Sequence, residues 1–94
     1  MHPISAEPAI TVVHSPGCHY CDDAREALAE IVAQQPLRVR YVDAESSEGA
    51  ELVAHHRVPM FPLVLVDGQF FSYGRLPRRK LQALLQNKTT AGTR

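Results

Sequence analysis

Within the first 42 residues a β-branched run, a turn signal, an amphipathic run and an alternating run follow one another, and this succession leaves few folds open. Ala9 to His14 (AITVVH) reads as a strand ended by Ser15-Pro16-Gly17. From Cys18 to about Gln34, Ala24, Leu28, Ile31 and Val32 fall at i, i+4, i+7 and i+8, the spacing of one helical face. Asp22, Asp23 and Glu26 sit in its N-terminal half, where the helix dipole favours acids. Pro36 stops the helix, and Leu37 to Val42 alternates apolar residues with Arg38 and Arg40 as a half-buried strand with arginines on its wet face. Strand, crossover helix and strand form a βαβ unit, whose right-handed connection makes the two strands parallel neighbours in a helix-covered sheet.

The rest of the chain extends that unit. Ser47 to His56 predicts a shorter helix, weakened by Gly49, with Leu52 and Val53 as its apolar contacts and an end near Arg57. Pro62 to Val66 is a continuous apolar run, and Asp67-Gly68 separates it from the aromatic-rich stretch Gln69 to Tyr73, a strong hairpin signal. Pro77 suits a first helical position, and Leu76, Leu81, Leu84 and Leu85 supply the core face of a last helix that runs to about Asn87, with Arg78, Arg79 and Lys80 outside. The order β-α-β-α-β-β-α predicts an α/β domain whose two helical connections both join parallel neighbours. A chain of 94 residues supplies one core, so a single domain over residues 9–87 is expected, with residues 1–8 and 88–94 as flexible termini. No internal repeat or low-complexity segment interrupts it.

Composition narrows the function classes. With 45% hydrophobic and 21% charged residues the chain is globular rather than disordered. No apolar run approaches the roughly 20 residues that span a bilayer, and the first 15 residues lack a basic region followed by an apolar one. A soluble cytoplasmic protein with no membrane partner is expected. Ten basic side chains balance ten acidic ones, but unevenly: residues 1–67 hold four of the bases and all ten acids, and residues 68–94 hold six bases and no acid. That basic end would steer an anionic partner. With zero net charge and no reading motif, nucleic acid is not an expected partner.

The two cysteines are too few for a disulfide scaffold. Cys18-His19-Tyr20-Cys21 closes so small a loop that a bridge adds little stability, which leaves redox or metal chemistry. Cys18 opens a helix, where free N–H groups and the dipole favour a thiolate, and Cys21 lies about one turn on. Attack by Cys18 on a substrate disulfide gives a mixed disulfide that Cys21 resolves. His19 is placed to tune the thiolate in one direction and Asp22 in the other, and Tyr20 offers an aromatic wall beside the dithiol.

Two other classes compete. His14, His19, His55 and His56 with the cysteines make a zinc site arithmetically possible, but adjacent His55 and His56 point in different directions on a helix end, and no metal site is expected. A bridged iron–sulfur dimer needs an external thiol, and haem attachment is excluded because Asp22 stands where CxxCH requires histidine. A redox-idle interaction module using Arg75 to Lys80 is the third class.

Ile10 to Cys21 (ITVVHSPGCHYC), followed by Ala24 and Leu28, resembles the opening of glutaredoxins and thioredoxins, and Cys18-His-Tyr-Cys21 shares its tyrosine with the glutaredoxin Cys-Pro-Tyr-Cys. Val58 to Gly68 (VPMFPLVLVDG) is similar to the same family's proline, apolar strand and Asp-Gly turn, and Pro-Gly-Cys-His-x-Cys with Gly74-Arg75-Leu76 is similar to small bacterial glutaredoxin-like proteins. The resemblance covers residues 9–87. It implies a thioredoxin-like three-layer α/β/α sandwich around a mixed four-stranded sheet. It also implies a thiol–disulfide oxidoreductase of cell redox homeostasis and electron transfer, with Cys18 as nucleophile and Cys21 as resolving thiol. Protein or small-thiol disulfides are the expected partners and a monomer the expected form, neither of which the resemblance itself fixes. No bound cofactor is implied beyond the redox-active disulfide. A cis-proline should face the dithiol, and Pro62, six residues before Gly68 and at the start of a strand, fits better than Pro59. The Phe61 backbone would then pair with substrate, and Arg75 would meet an anionic thiol. Ser15 stands where glutaredoxins often carry lysine, and Ser72-Tyr73 where they carry paired glycines. The electron donor therefore stays open among glutathione, another low-molecular-weight thiol and a reductase.

Overall fold

The computed structural model describes residues 7–92, with side chains as far as Asn87. Its elements are β1 (Ala9–His14), α1 (His19–Val32), β2 (Arg38–Asp43), α2 (Ser47–His56), β3 (Leu63–Val66), β4 (Gln69–Tyr73) and α3 (Arg78–Gly92). The strands form one mixed sheet in the order β2-β1-β3-β4.

Strand parity divides the core into two layers. Ile10, Val12, Val64 and Val66 face Ala24, Ala27, Leu28 and Ile31 of α1 and Leu81 and Leu85 of α3. On the opposite face Val13, Val42, Leu63 and Leu65 pack against Leu52 and Val53 of α2, with Val58 and Phe61 from the loop that follows. The sheet is thus covered on both sides, a three-layer α/β/α sandwich. All four residues of β3 are buried, which is why this strand reads as an uninterrupted apolar run rather than an alternating one.

β1 and β2 are parallel, with Ala9 opposite Arg38 and His14 opposite Asp43. The second helical connection departs from the sequence expectation: β3 runs antiparallel to β1, with Val13 opposite Leu63, and does not neighbour β2. Both ends of the α2 connection lie at the His14/Asp43 end of the sheet, so α2 and its flanking loops never return the chain to where β1 and β2 began. The Asp67-Gly68 hairpin follows, with φ of 51° and 81°, both positive as a type I′ turn requires. It is tied to the start of β1 by Asp67, whose carboxylate accepts from Ala9 N at 2.9 Å.

α3 also differs from expectation, continuing to Gly92 instead of ending near Asn87. Lys88, Thr89, Thr90 and Ala91 include no helix breaker, and Gly92 is the first residue that disfavours continuation. Of the flexible termini expected at residues 1–8 and 88–94, residues 1–6 and 93–94 lie outside the described residues.

Gly49 is the residue that weakened the α2 prediction, and packing accounts for it. Ser46 caps the helix by accepting from Gly49 N at 3.0 Å, while its hydroxyl donates to Asp43 O at 2.7 Å. That same carbonyl occupies the space a Gly49 side chain would need.

Tyr41 lies half-buried on β2, with the Arg25 guanidinium 4.1 Å from its ring centre. Burial pushes its phenol above the ordinary tyrosine value of 10, an effect that the Arg25 charge partly offsets. A folded value above the unfolded one means that this contribution to stability is fully present below pH 10 and is lost as pH rises through the raised value. Urea midpoints should therefore fall less between pH 9 and about 11 in Tyr41→Phe than in the parent chain, and identical slopes would show that Tyr41 ionises equally in both states.

Candidate active site

The site is assembled where β1 and β2 end and β3 begins. β1 leads into Ser15-Pro16-Gly17, whose glycine has a φ of 66°, and the turn delivers Cys18 to the N-cap of α1. Cys18 holds extended backbone angles there, and its sulfur accepts from Cys21 N at 3.0 Å. A sulfur thus occupies the position usually filled by a serine or aspartate oxygen, on one of the helix's otherwise unsatisfied donors.

Cys18 and Cys21 form a disulfide, with Cα atoms 5.1 Å apart. Their exposures differ: Cys18 is half-buried at the cap, whereas Cys21 is 5% exposed on the face of α1 that carries Ala24 and Leu28 into the core. Of the two bridged residues Cys18 is thus the more accessible and Cys21 the more deeply buried. His19 and Tyr20 point outward, with Tyr20 43% exposed. Tyr20 is therefore a surface aromatic next to the disulfide rather than a core residue.

The Phe61–Pro62 peptide bond is cis, and Pro62 is fully buried immediately before Leu63, the first residue of β3. Its carbonyl accepts from Gly74 N at 3.0 Å, which ties the loop to the end of β4. The Phe61 side chain packs into the layer under α2. Since Leu63 pairs with Val13, the cis bond and the disulfide turn share one end of the sheet. Met60, 42% exposed, precedes Phe61 there and was not singled out by sequence; an isolated loop methionine carries no periodic signal.

Arg75 is exposed and lines a groove of about 570 Å³ together with Asp23, Pro77, Arg78, Arg79 and Lys80. Arg78 bridges α3 to α1, with Nη2 2.7 Å from Asp23 Oδ1 and Nη1 3.7 Å from Glu30 Oε1. This pairing across 55 positions has no local sequence signal. It sets the basic start of α3 beside the helix that bears the disulfide. Among the described residues, no group of three or more His, Cys, Asp and Glu side chains converges as a metal site would require.

No curated protein matches the chain in sequence. Among solved structures it is similar to an uncharacterised thioredoxin-like protein from Clostridium perfringens, at 15% identity over 87% of this chain and 71% of the other, with a TM-score of 0.71. Similar too are the reduced thioredoxin pre-protein of Schistosoma mansoni (13% identity, 86% and 78% covered, TM-score 0.65) and a mutant thioredoxin from Halobacterium salinarum (17% identity, 88% and 75%, 0.68). These likenesses concern the fold. The thioredoxin domain family matches the sequence itself over residues 9–86. A domain of this fold with a Cys18–Cys21 disulfide supports a redox thiol–disulfide function. Because the match runs from β1 through most of α3 and takes in both cysteines, the chain belongs to the thioredoxin domain family.

Proposed function

We propose that the chain is a dithiol–disulfide oxidoreductase in which Cys18 attacks and Cys21 resolves. The observation that carries this reading is the unequal placement of the two cysteines, Cys18 half-buried at the helix cap and Cys21 5% exposed one turn on. In the reduced protein the Cys18 thiolate attacks one sulfur of a substrate disulfide. The substrate's S–S bond breaks, one thiolate leaves, and Cys18 is left in a mixed disulfide. The Cys21 thiolate then attacks the Cys18 sulfur, closing the intramolecular bond and expelling the second substrate thiolate. Two electrons have passed to the substrate, and both of its thiolates take up protons from water.

The N–H of Cys21 and the first turn of α1 stabilise negative charge on Cys18 before attack and after release. The peptide groups around Phe61 and cis-Pro62 supply an edge along which an extended substrate backbone lies, with His19 and Tyr20 flanking it. Re-reduction requires a dithiol or two monothiols. Glutathione, another low-molecular-weight thiol and a reductase all satisfy that balance, and a reducing compartment such as the cytoplasm suits the cycle. Substrates are protein or small-thiol disulfides met by a monomer.

The test is equilibration of the purified protein in graded thiol/disulfide buffers, followed by alkylation of free thiols and mass analysis. A reversible, two-electron Cys18–Cys21 transition is expected within roughly −200 to −270 mV, the range from glutaredoxins to thioredoxin. Thiols that never form the bridge, or that stay protected until a chelator is added, would overturn the proposal.

A further inference from the structure

The groove between α1 and the start of α3 holds four cations, Arg75, Arg78, Arg79 and Lys80, against the single anion Asp23. Asp23 is committed to Arg78 at 2.7 Å, and Glu30 also faces that arginine. Arg75 and Arg79 are exposed and have no ionic partner among the described residues. Lys80 stands 5.9 Å from the Phe71 ring, an aromatic contact that leaves its charge uncompensated. Three positive charges thus line one open groove, in a region of sequence that contains no acid from Gly68 to the end. Asp23, two residues after Cys21, belongs to the same groove, so the patch borders the helix that carries the disulfide.

We infer that this groove docks an acidic polypeptide segment of a redox partner. Arg75, Arg79 and Lys80 are three separate uncompensated charges, which suit several carboxylates in sequence better than one small anion. On the adjoining face of α1 the acids Asp22 and Glu26 outnumber the one cation, Arg25, which lies over the Tyr41 ring, so an acidic segment is favoured on the α3 side. The partner's identity as a redox partner rests on the disulfide-exchange reading, whereas docking itself needs no chemistry and is measured without it.

The experiment is fluorescence anisotropy of labelled cysteine-free peptides, (Glu-Gly)₅ and (Gln-Gly)₅, titrated with the oxidised protein at low salt. The acidic peptide should bind at least tenfold more tightly than the neutral one, and this preference should collapse near 1 M salt, where the Debye length is about 3 Å. Arg75→Glu/Arg79→Glu should weaken (Glu-Gly)₅ binding at least tenfold. Arg38→Glu/Arg57→Glu carries the same net charge with exposed arginines elsewhere, and it should weaken binding less than threefold. Equal binding of the two peptides, or equal losses in the two double variants, would overturn the inference. So would competition by S-methylglutathione, which has no free thiol to reduce the disulfide, as strong as that of unlabelled (Glu-Gly)₅ at matched carboxylate concentration, since the groove would then be a small-anion site. A protein that binds the acidic peptide but never cycles its disulfide would separate the two proposals, keeping the docking surface and removing the oxidoreductase.

Discussion

Cys18→Ser should lose disulfide-reductase turnover by about a thousandfold or more, because a serine hydroxyl at neutral pH cannot replace a thiolate as nucleophile. The complementary variant distinguishes the two roles. Cys21→Ser should still undergo the first exchange and then stall, accumulating a covalent adduct whose mass exceeds the protein's by one substrate thiol and which dithiothreitol removes. The asymmetry follows from placement: Cys18 caps the helix where a substrate sulfur can approach, and Cys21, 5% exposed, is reached from the Cys18 side. Intact-mass spectrometry after mixing with a model disulfide reads both outcomes. Adduct on Cys18→Ser with none on Cys21→Ser would reverse the assignment, and full turnover in both variants would remove the cysteines from the chemistry.

Gly49→Ala should destabilise the fold, although the same change inside an ordinary helix stabilises by about 1 kcal/mol. The added methyl would overlap the Asp43 carbonyl, which is backbone and cannot swing aside. That carbonyl also accepts from Ser46 N at 3.0 Å and from the Ser46 hydroxyl at 2.7 Å, so moving it disturbs the α2 cap as well. Overpacking costs typically 1–3 kcal/mol, and with the cap strained a net loss of about 2 kcal/mol is expected, or roughly 10 °C in Tm for a domain of this size. Thermal unfolding followed by circular dichroism provides the check. A Tm equal to or above that of the parent would mean that α2 can shift away from β2 at little cost. Ser46→Ala offers a milder comparison, since losing the cap alone should cost about 1 kcal/mol.

The contrast between these two variants shows where sequence reading reaches and where it stops. The cysteine pair was legible because every signal for it is local: a β-branched run, a Ser-Pro-Gly turn, and a helix with its acids in the first half. The hairpin was legible for the same reason, since Asp-Gly between two apolar runs favours positive φ at both positions, as Asp67 and Gly68 adopt here. Gly49, read alone, only weakens a helix; its necessity comes from a carbonyl six residues earlier that folds back against it. The Asp23–Arg78 ion pair was not legible at all, because 55 residues separate its members and either charge alone looks like any solvated surface residue.

The sequence by itself determined the order of elements, the faces of α1 and α3 that enter the core apart from Val32, which ends α1 45% exposed instead of joining Ala24, Leu28 and Ile31, and the arrival of a Cys-x-x-Cys pair at a helix start. These are periodicities and short-range preferences that a segment carries wherever it is placed. Only the tertiary structure decided that β3 runs antiparallel beside β1, that α3 continues to Gly92, and that the basic start of α3 lies along the disulfide helix. A strand's own pattern states how many of its faces are buried but not which neighbour buries them or in which direction it runs. That choice belongs to packing between segments distant in the chain, where α2 closes one face of the sheet and α1 and α3 close the other.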